Sequence, residues 1–234
     1  MYCVIAAARR PRLSRARHGP PGLGPVRLLE VEQGLYIAAA DAPLDKYGEA
    51  ALHHVLLDAG KLSRAALAHE AVVESFASAT AVLPMKLFTL FASDARAVGH
   101  VRARRRHVAS IVERVAHRQE WGVRVLRDGP SVAAPVEARC ARSGLDYLSC
   151  KKATRDAPHQ ALAGLYDRLA VHATRARHRH RGGRPALLDA AFLVPRAGAA
   201  SFQAQVSRES RNYARHGYRL ALSGPWPPYS FMQD

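Results

Sequence analysis

The sequence has no long uninterrupted apolar stretch, although 48% of its 234 residues are hydrophobic. A helix that spans a bilayer needs about 20 consecutive apolar residues, and no segment approaches that length. The apolar opening Met1–Ala8 is short and is followed by Arg9 and Arg10, whereas a signal peptide places its basic residues first. We therefore expect Met1–Ala8 to form the first strand of a folded domain, and we expect no membrane span.

Cysteine is scarce as well. The three cysteines are Cys3, Cys140 and Cys150, an odd number with no C-x-x-C spacing. A disulfide framework uses paired cysteines in an oxidising compartment, and structural zinc sites use closely spaced ligands. The cysteines therefore favour reduced thiols in a cytoplasmic protein, and we expect neither a metal nor a cofactor.

Sequence signatures of catalysis are also missing. There is no G-x-S-x-G, no phosphate-binding loop and no dinucleotide fingerprint. Cys150 lies beside Lys151, but no histidine base accompanies it, so a core or helix-start cysteine is the preferred interpretation. His69, Glu70 and Glu74 lack the H-E-x-x-H spacing of a helical zinc site and are expected on a solvated helix face. We predict that the protein is not an enzyme.

Acidic residues are few, because 35 lysines and arginines stand against 19 aspartates and glutamates. The resulting net charge of +16 and pI near 10.7 are common in proteins that bind nucleic acid, acidic membrane surfaces or acidic partners. A composition rich in arginine and alanine, as GC-rich coding produces, explains the charge equally well. No aromatic-interleaved basic sheet motif or helix-turn-helix signature accompanies it. A basic nucleic-acid-binding module is therefore kept as the alternative function.

What the sequence does contain is a succession of short strands and amphipathic helices. The first half predicts a β-β-β-α-β-α order and the second half a β-α-β-α-β order. Both suit small, mainly antiparallel sheets with helices on one face, an α+β fold that is ferredoxin-like in outline. We expect two domains: residues 1–118, with a mobile basic loop at 9–25, and residues 119–234, with a tail rich in proline and aromatic residues.

Several elements can be placed from periodicity and turn residues. They are a hairpin over 26–40 that turns at Glu32-Gln33-Gly34, a helix over 61–79 capped by Ser63, a long helix over 95–118 capped by Asp94, a mostly helical segment over 145–177, and a helix over 201–216 with Phe202, Val206 and Tyr213 inward. Arg105 falls on the apolar seam of the long helix, where it must extend to solvent or find a partner. Residues 81–83 are expected to be a short strand, and Pro84 after them indicates either a sheet edge or the end of the strand.

The tail Gly224–Phe231 reads GPWPPYSF and is both stiff and apolar, whereas chain ends are usually frayed and polar. Its Trp226, Tyr229 and Phe231 offer large surfaces for contact. Two interpretations stay open. The rings pack onto the C-terminal sheet and close its edge, or they form an exposed platform for a partner.

This tail resembles that of the gas vesicle protein F/L family. Further segments from about Leu67 onward resemble the same family in the same order. They are the helix and strand LAHEAVVESFASATAVLPMKLFTLF at Leu67–Phe91, QEWGVRV at Gln119–Val125, DYLSCKK at Asp146–Lys152 and AAFLV at Ala190–Val194. In one place the sequence departs from the family, because Leu87-Phe88 stands where the family usually has Phe-Gly. A glycine adopts φ > 0 without cost there, whereas Phe88 does so only at a cost.

The resemblance implies a two-domain accessory protein of gas vesicle assembly. Gas vesicles are protein shells made chiefly of one small, very hydrophobic subunit. A member of this family would bind that subunit in the cytoplasm, keeping it soluble or seeding its ordered addition, and would be found with gas vesicles. An exposed apolar strand edge aggregates unless it is covered, so strand addition to a sheet edge is one way to bind it. The implied partners are the shell subunit and other gas vesicle accessory proteins.

The residues expected to contact partners lie in three segments: the LPMK segment with the phenylalanine after it, the basic part of the long helix, and the tail. They are Pro84, Met85, Lys86, Phe88, Arg102, Arg105, Arg106, Pro225, Trp226, Pro227, Pro228, Tyr229 and Phe231. The arginines are expected to meet acidic groups and to raise the association rate.

Overall fold

The computed structural model describes residues 1–12, 19–127, 162, 164–179 and 186–233. Part of the expected basic loop, most of the expected helix over 145–177, Cys140 and Cys150 lie outside these described residues. Cys3 is buried.

The chain divides into two compact units. The first unit comprises Met1–Arg118 together with Trp226–Asp234, and the second comprises Gln119–Pro225. The sequence placed the whole tail with the C-terminal domain, but in the structure the tail belongs to the first unit from Trp226 onward. The physical reason is apolar burial, because the Phe231 ring is only 2% exposed in that unit. Burying one such ring contributes about 1.5–3 kcal/mol.

The first unit is built on a four-stranded antiparallel sheet with the strand order β2-β3-β1-β4. Its strands are β1 (Cys3–Ala6), β2 (Arg27–Glu32), β3 (Leu35–Ala39) and β4 (Ala81–Pro84). The predicted hairpin is confirmed, since β2 and β3 pair around a turn in which Gly34 has φ +80°, a conformation that favours glycine. The strand that ends at Pro84 lies at the sheet edge, as predicted, with Pro84 opposite Cys3 of β1.

Three helices follow β3, namely α1 (Leu44–Tyr47), α2 (Glu49–Leu57) and α3 (Ala59–Glu74). α3 begins before the predicted position, because the Asp58 carboxylate and not Ser63 caps it, accepting a hydrogen bond from the Lys61 amide at 2.9 Å. Ala65, Val72 and Val73 are buried on one face of α3, which agrees with the predicted periodicity. His69 is buried on that face too, at 6% exposure, so the expectation of a solvated surface was wrong for this residue.

The predicted long helix is in fact two helices, α4 (Asp94–Ala103) and α5 (Arg105–Val115). Ser93 rather than Asp94 caps α4, its hydroxyl accepting a hydrogen bond from the Arg96 amide at 3.2 Å. Arg104 has φ −107° and ψ 18°, so the regular helix stops at this residue and starts again after it. The break explains Arg105, which is exposed in the first turn of α5 rather than forced onto the apolar seam.

The second unit repeats the strand order of the first. Its sheet has the order β6-β7-β5-β8, and its strands are β5 (Arg118–Arg127), β6 (Arg175–His178), β7 (Leu188–Pro195) and β8 (Tyr218–Trp226). Numbered within each unit, both sheets read second-third-first-fourth, which is the ferredoxin-like order. The predicted α+β fold with two small antiparallel sheets is confirmed.

Helices cover one face of this second sheet. The structure describes helical residues 164–170, called α6 here, and α7 (Ala199–Ala214). Trp121, Val123 and Val125 of β5 pack with Leu165 of α6 and Phe202 of α7 in one buried cluster. The inward positions predicted for α7 are confirmed, since its buried residues include all three of those named from the sequence.

Residues 175–178 form an edge strand, although the sequence predicted helix there. β6 pairs antiparallel with β7, Arg175 lying opposite Leu193 and His178 opposite Ala190. The segment RARH has no apolar alternation of its own. Its conformation is therefore set by the backbone hydrogen bonds that the neighbouring strand offers, rather than by local propensity.

The other face of β5 carries a buried cluster of charges. Arg179 forms ion pairs with Glu120, at 3.4 Å from Nη1 to Oε1, and with Asp189, at 3.0 Å from Nε to Oδ1. Arg124 pairs with the second oxygen of Asp189 at 3.2 Å. A Cβ added at Gly122 would overlap the Arg179 guanidinium. The Glu-x-Gly-x-Arg spacing thus supplies two charges of a compensated network and the space for a third.

Candidate partner-binding site

A cavity of about 520 Å³ opens in the first unit. Val4 of β1 and Leu83 and Pro84 of β4 form its floor, and residues of α4 and α5 line it on another side. Tyr229 of the tail and Met232, which follows the tail, complete the lining. Its volume falls within the range of roughly 300–1,000 Å³ that is usual for binding pockets. The cavity brings together the LPMK segment and the tail, two of the three segments expected to contact partners.

The LPMK segment is held by backbone hydrogen bonds on both sides of Met85. The Met85 amide donates to the Tyr2 carbonyl at 2.8 Å, which extends the β1–β4 pairing by one residue. The Lys86 carbonyl then accepts from the Thr89 hydroxyl at 2.7 Å and from its amide at 3.1 Å, closing a turn. In this arrangement the Met85 side chain is half-buried and the Lys86 side chain is exposed, and both line the cavity.

His69 supports this segment from beneath. Its Nε2 lies 3.2 Å from the Met85 carbonyl oxygen, and its ring centroid is 5.4 Å from that of Tyr2. Burial lowers the pKa of His69, because the charged imidazolium loses its hydration. A neutral imidazole whose Nε2–H donates to the carbonyl fits this environment.

The tail is fixed by polar bonds as well as by apolar burial. The Tyr229 hydroxyl donates to Glu70 Oε2 of α3, and Arg114 Nη1 of α5 donates to the Phe231 carbonyl at 3.3 Å. Burial and the neighbouring Glu70 carboxylate raise the pKa of Tyr229 above its usual value. The interpretation that the rings pack onto the C-terminal sheet was wrong for Phe231, which is buried in the first unit. The exposure that the other interpretation requires is present at Trp226 and Tyr229, which are each 39% exposed. Of the prolines, Pro228 is buried, Pro227 half-buried and Pro225 exposed.

Sulfur side chains are concentrated at this cavity. The sequence has three methionines, Met1, Met85 and Met232, and all three line it. All three are half-buried, so their thioethers are within reach of a ligand. Methionine is flexible and polarisable, and it is enriched at surfaces that accommodate varied apolar partners.

The cavity is also basic. Lys86, His100, Arg104 and His107 line it, and none of the described lining residues is Asp or Glu. Arg104 Nη1 lies 2.9 Å from His100 Nδ1. The break between α4 and α5 places Arg104 at the junction of the two helices, on the cavity wall. Sequence analysis missed these α4 and α5 residues because an unbroken helix would give them another orientation.

The other basic residues named from the sequence do not line the cavity. Arg102 donates from Nε at 2.9 Å and from Nη2 at 2.6 Å to the Val31 carbonyl, joining α4 to β2. Val31 lies where the β2–β3 register shifts, and a bulged residue leaves its backbone without a ladder partner. Arg105 and Arg106 are exposed on α5.

Phe88 adopts the backbone conformation that the family glycine would favour. Its φ is +62°, in the left-handed region that costs a non-glycine residue about 1–3 kcal/mol. Its ring centroid lies 6.2 Å from that of Tyr47, and both residues line a smaller neighbouring cavity. Phe88 thus takes a left-handed turn conformation after the LPMK segment, and its ring occupies space that a glycine would leave open.

The described residues hold neither a cluster of metal-ligating side chains nor a membrane-spanning helix. No group of three or more histidine, cysteine or acidic side chains lies close enough to hold a metal ion in that part of the chain. No helix described by the structure has the length and apolarity needed to cross a membrane.

Comparison with known proteins gives consistent matches over the whole chain. Residues 1–233 match the family model described as gas vesicle synthesis protein GvpL/GvpF. Gas vesicle protein L of Streptomyces sp. (strain CB03234) is 31% identical over 97% of this chain and 91% of its own length. Gas vesicle protein F of the same strain is 27% identical over 98% of this chain and 97% of its own length.

Two crystal structures have the same fold. Gas vesicle protein GvpF from Anabaena sp. PCC7120 superposes with a TM-score of 0.77 at 16% identity, over all of this chain and 94% of that chain. GvpF from Microcystis aeruginosa superposes with a TM-score of 0.72 at 15% identity, over all of this chain and 98% of that chain. At such identities the likeness concerns the fold alone.

Proposed function

Because the chain belongs to the gas vesicle synthesis protein GvpL/GvpF family, we propose that it is a non-enzymatic accessory protein that binds the small hydrophobic shell subunit and supports gas vesicle assembly. It acts in the cytoplasm and associates with gas vesicles and with their other accessory proteins. By covering apolar surface of the subunit, it keeps the subunit soluble until ordered addition to the shell.

The observation that carries this proposal is the cavity in the first unit, which is lined in part by buried apolar side chains. Its floor and walls include Leu83, Val108 and Ile111, which are 2%, 9% and 4% exposed. An apolar side chain of the subunit that enters the cavity leaves water at a gain of about 25 cal/mol for each Å² buried. The LPMK segment and the tail, which carry the family resemblance, meet there.

The mode of binding differs from the strand addition considered from the sequence. Every residue of the edge strand β4 is buried, including Val82 at 6% exposure. A covered edge strand offers little access for a partner strand. Insertion of side chains into the adjacent cavity therefore fits the first unit better than augmentation of its sheet at β4.

The test is co-expression with the shell subunit. We expect the protein to raise the soluble amount of the subunit and to co-elute with it, and we expect Met85→Lys, which places a charge in the cavity, to abolish both effects. Leu67→Lys is the matched control, since Leu67 on α3 is 72% exposed and does not line the cavity. Soluble subunit that is independent of the protein would refute the proposal.

Nucleic-acid binding is the second candidate, favoured by the net charge of +16 and by the exposed arginines of α5. It predicts that affinity for duplex DNA or RNA falls linearly with salt on a log–log plot. Flotation distinguishes the gas vesicle role from nucleic-acid binding. If the gas vesicle role is correct, we expect the protein to float with gas vesicles even after a high-salt wash, because salt screens exposed charge pairs.

A further inference from the structure

We propose that the cavity of the first unit recognises a peptide segment in which an apolar side chain stands close to a carboxylate. The proposal rests on the proposed function only for the expected source of that segment, a gas vesicle protein. It names the chemistry of the ligand, which neither the family nor the fold specifies.

The apolar half of the recognition comes from the floor and the methionines. Leu83 and Ile111 give the cavity a fixed apolar base. Met85 and Met232 both line the cavity and are half-buried, so they can change rotamer to fit side chains of different shape. This combination accommodates leucine, isoleucine, valine or phenylalanine rather than one of them alone.

The charged half comes from the basic residues on the same cavity. Lys86 and Arg104 carry permanent charge at neutral pH, and the cavity wall also holds His100 and His107. Among the described residues, neither Lys86 nor Arg104 forms an ion pair, and no acidic side chain lines the cavity. A bound carboxylate would therefore meet a positive potential with no competing acid among the described lining residues, which favours an acidic ligand over a neutral or basic one.

Several arginines elsewhere in the described residues already have partners. Arg27 pairs with Asp41 and Asp94, and Arg168 pairs with Glu209. Arg102 is bound to the Val31 carbonyl. Lys86 and Arg104 differ from these arginines, because no acidic side chain among the described residues pairs with them.

The experiment uses the full chain labelled with ¹³C at its methionine methyl groups. Since all three methionines line the cavity, a ligand that enters it must move their signals, whereas a ligand bound elsewhere leaves them in place. The probes are overlapping 15-residue peptides covering the shell subunit and the accessory gas vesicle proteins of the same organism. Each binder is compared with a twin in which Asp and Glu are replaced by Asn and Gln.

We expect binders to carry an apolar residue within about one helical turn of Asp or Glu, and to shift the Met85 and Met232 signals. The amide twin should bind about tenfold more weakly, since a charge-assisted hydrogen bond is lost. Arg104→Gln and Lys86→Gln should each weaken the acidic peptide and leave the amide twin unchanged. Arg106→Gln, an exposed arginine of α5 that does not line the cavity, is the control and should change neither.

Several results would overturn the inference. Methionine signals that stay in place when peptides bind would move the site elsewhere, and an amide twin of equal affinity would remove the carboxylate from the recognition. If peptides of the shell subunit fail but acidic, apolar peptides of an accessory protein bind as described, the inference stands and the proposed shell-subunit function is wrong. If the subunit co-elutes while the methionine signals do not move, the reverse holds.

Discussion

The hydroxyl of Tyr229 donates a hydrogen bond to the Glu70 carboxylate, although the two residues are 159 positions apart in the chain. The bond joins the tail to α3, and the bond from Arg114 to the Phe231 carbonyl joins it to α5. A wall that is already ordered in this way loses little conformational freedom when a partner binds. The tail is therefore a built part of the cavity and not an appendage.

Tyr229→Phe tests how strongly this bond fixes the tail. The substitution keeps the ring and removes the donor to Glu70, so we expect the free energy of unfolding to fall by about 1–2 kcal/mol. Urea denaturation followed by circular dichroism measures it. Tyr218→Phe, the same hydroxyl deletion on β8 of the second unit, serves as the control. An equal loss in both variants, or none in Tyr229→Phe, would show that the bond contributes nothing specific.

We predict that the protein loses stability at high pH because of two tyrosines, Tyr2 and Tyr229. Burial raises the pKa of Tyr2 to about 12 and raises that of Tyr229, whereas tyrosine in an unfolded chain titrates near 10. Above about pH 10 the unfolded chain therefore releases protons that the folded chain keeps, and stability falls as pH rises toward the folded values. Denaturation between pH 9 and 12, a range of about three units around the reference value, should show a shallower decline for Tyr229→Phe than for the wild type. Parallel curves would contradict this.

Two substitutions at Phe88 distinguish the energetic cost of its left-handed backbone from the stabilisation that its ring contributes. Phe88→Ala loses the contact with Tyr47 and keeps a side chain at φ +62°. Phe88→Gly loses the same contact but removes the cost of the left-handed conformation, which is about 1–3 kcal/mol for a non-glycine residue. We expect the glycine variant to be more stable than the alanine variant by about that amount in thermal unfolding. Equal stabilities would mean that this turn relaxes to negative φ in solution.

Much of the fold was predictable where one local signal acts alone. The turn at Gly34, the edge strand before Pro84 and the inward side chains of α7 all follow from residue type and spacing, and the structure has each of them. These features depend on neighbours within about ten residues. No longer-range contact had to be known to place them.

The features that sequence analysis missed depend on contacts far along the chain. The break at Arg104 interrupts a helix whose apolar spacing continues across it, and the only local sign was the charged Arg105 on the predicted seam. β6 takes its conformation from β7. The tail could bury Phe231 on any apolar surface, and its sequence does not say which unit provides one. The cavity needs all these placements at once, so it was not foreseeable, although two of its segments were named.

Gly122 shows why one small residue is needed inside the second unit. A Cβ at this position would stand 2.6 Å from the Ser223 hydroxyl and would displace the Arg179 guanidinium. Arg179 cannot move freely, because its side chain is only 12% exposed and pairs with Glu120. We expect Gly122→Ala to lower the free energy of unfolding by about 1–3 kcal/mol.

The control for this substitution is predicted to have the opposite sign. Gly99 lies inside α4, and a Cβ there would meet nothing within 4 Å. Gly99→Ala should therefore raise stability by about 0.5–1 kcal/mol, because alanine favours the helix. Chemical denaturation of both variants under one condition decides the matter. A Gly122→Ala protein as stable as the wild type would mean that the ion-pair cluster can rearrange around a methyl group.

His69 makes the LPMK segment sensitive to acid. Burial lowers the pKa of its imidazole, whose Nε2 contacts the Met85 carbonyl, while an unfolded histidine titrates near 6.5. Below about pH 6.5 the unfolded chain takes up a proton that the folded chain resists. The stability that His69 contributes is therefore fully present above that pH and is lost as pH falls through the lower folded pKa.

His69→Gln keeps a donor for the Met85 carbonyl and removes the titration. We expect its free energy of unfolding to vary less than that of the wild type between about pH 5 and 7.5, the range around the histidine reference value. His54→Gln, an exposed histidine of α2, should follow the wild-type curve. Methyl signals of Met85 recorded over the same range give a local reading, because the proton enters directly beneath that residue. If His69→Gln and the wild type decline in parallel while Met85 shifts in neither, the acid sensitivity arises at another group.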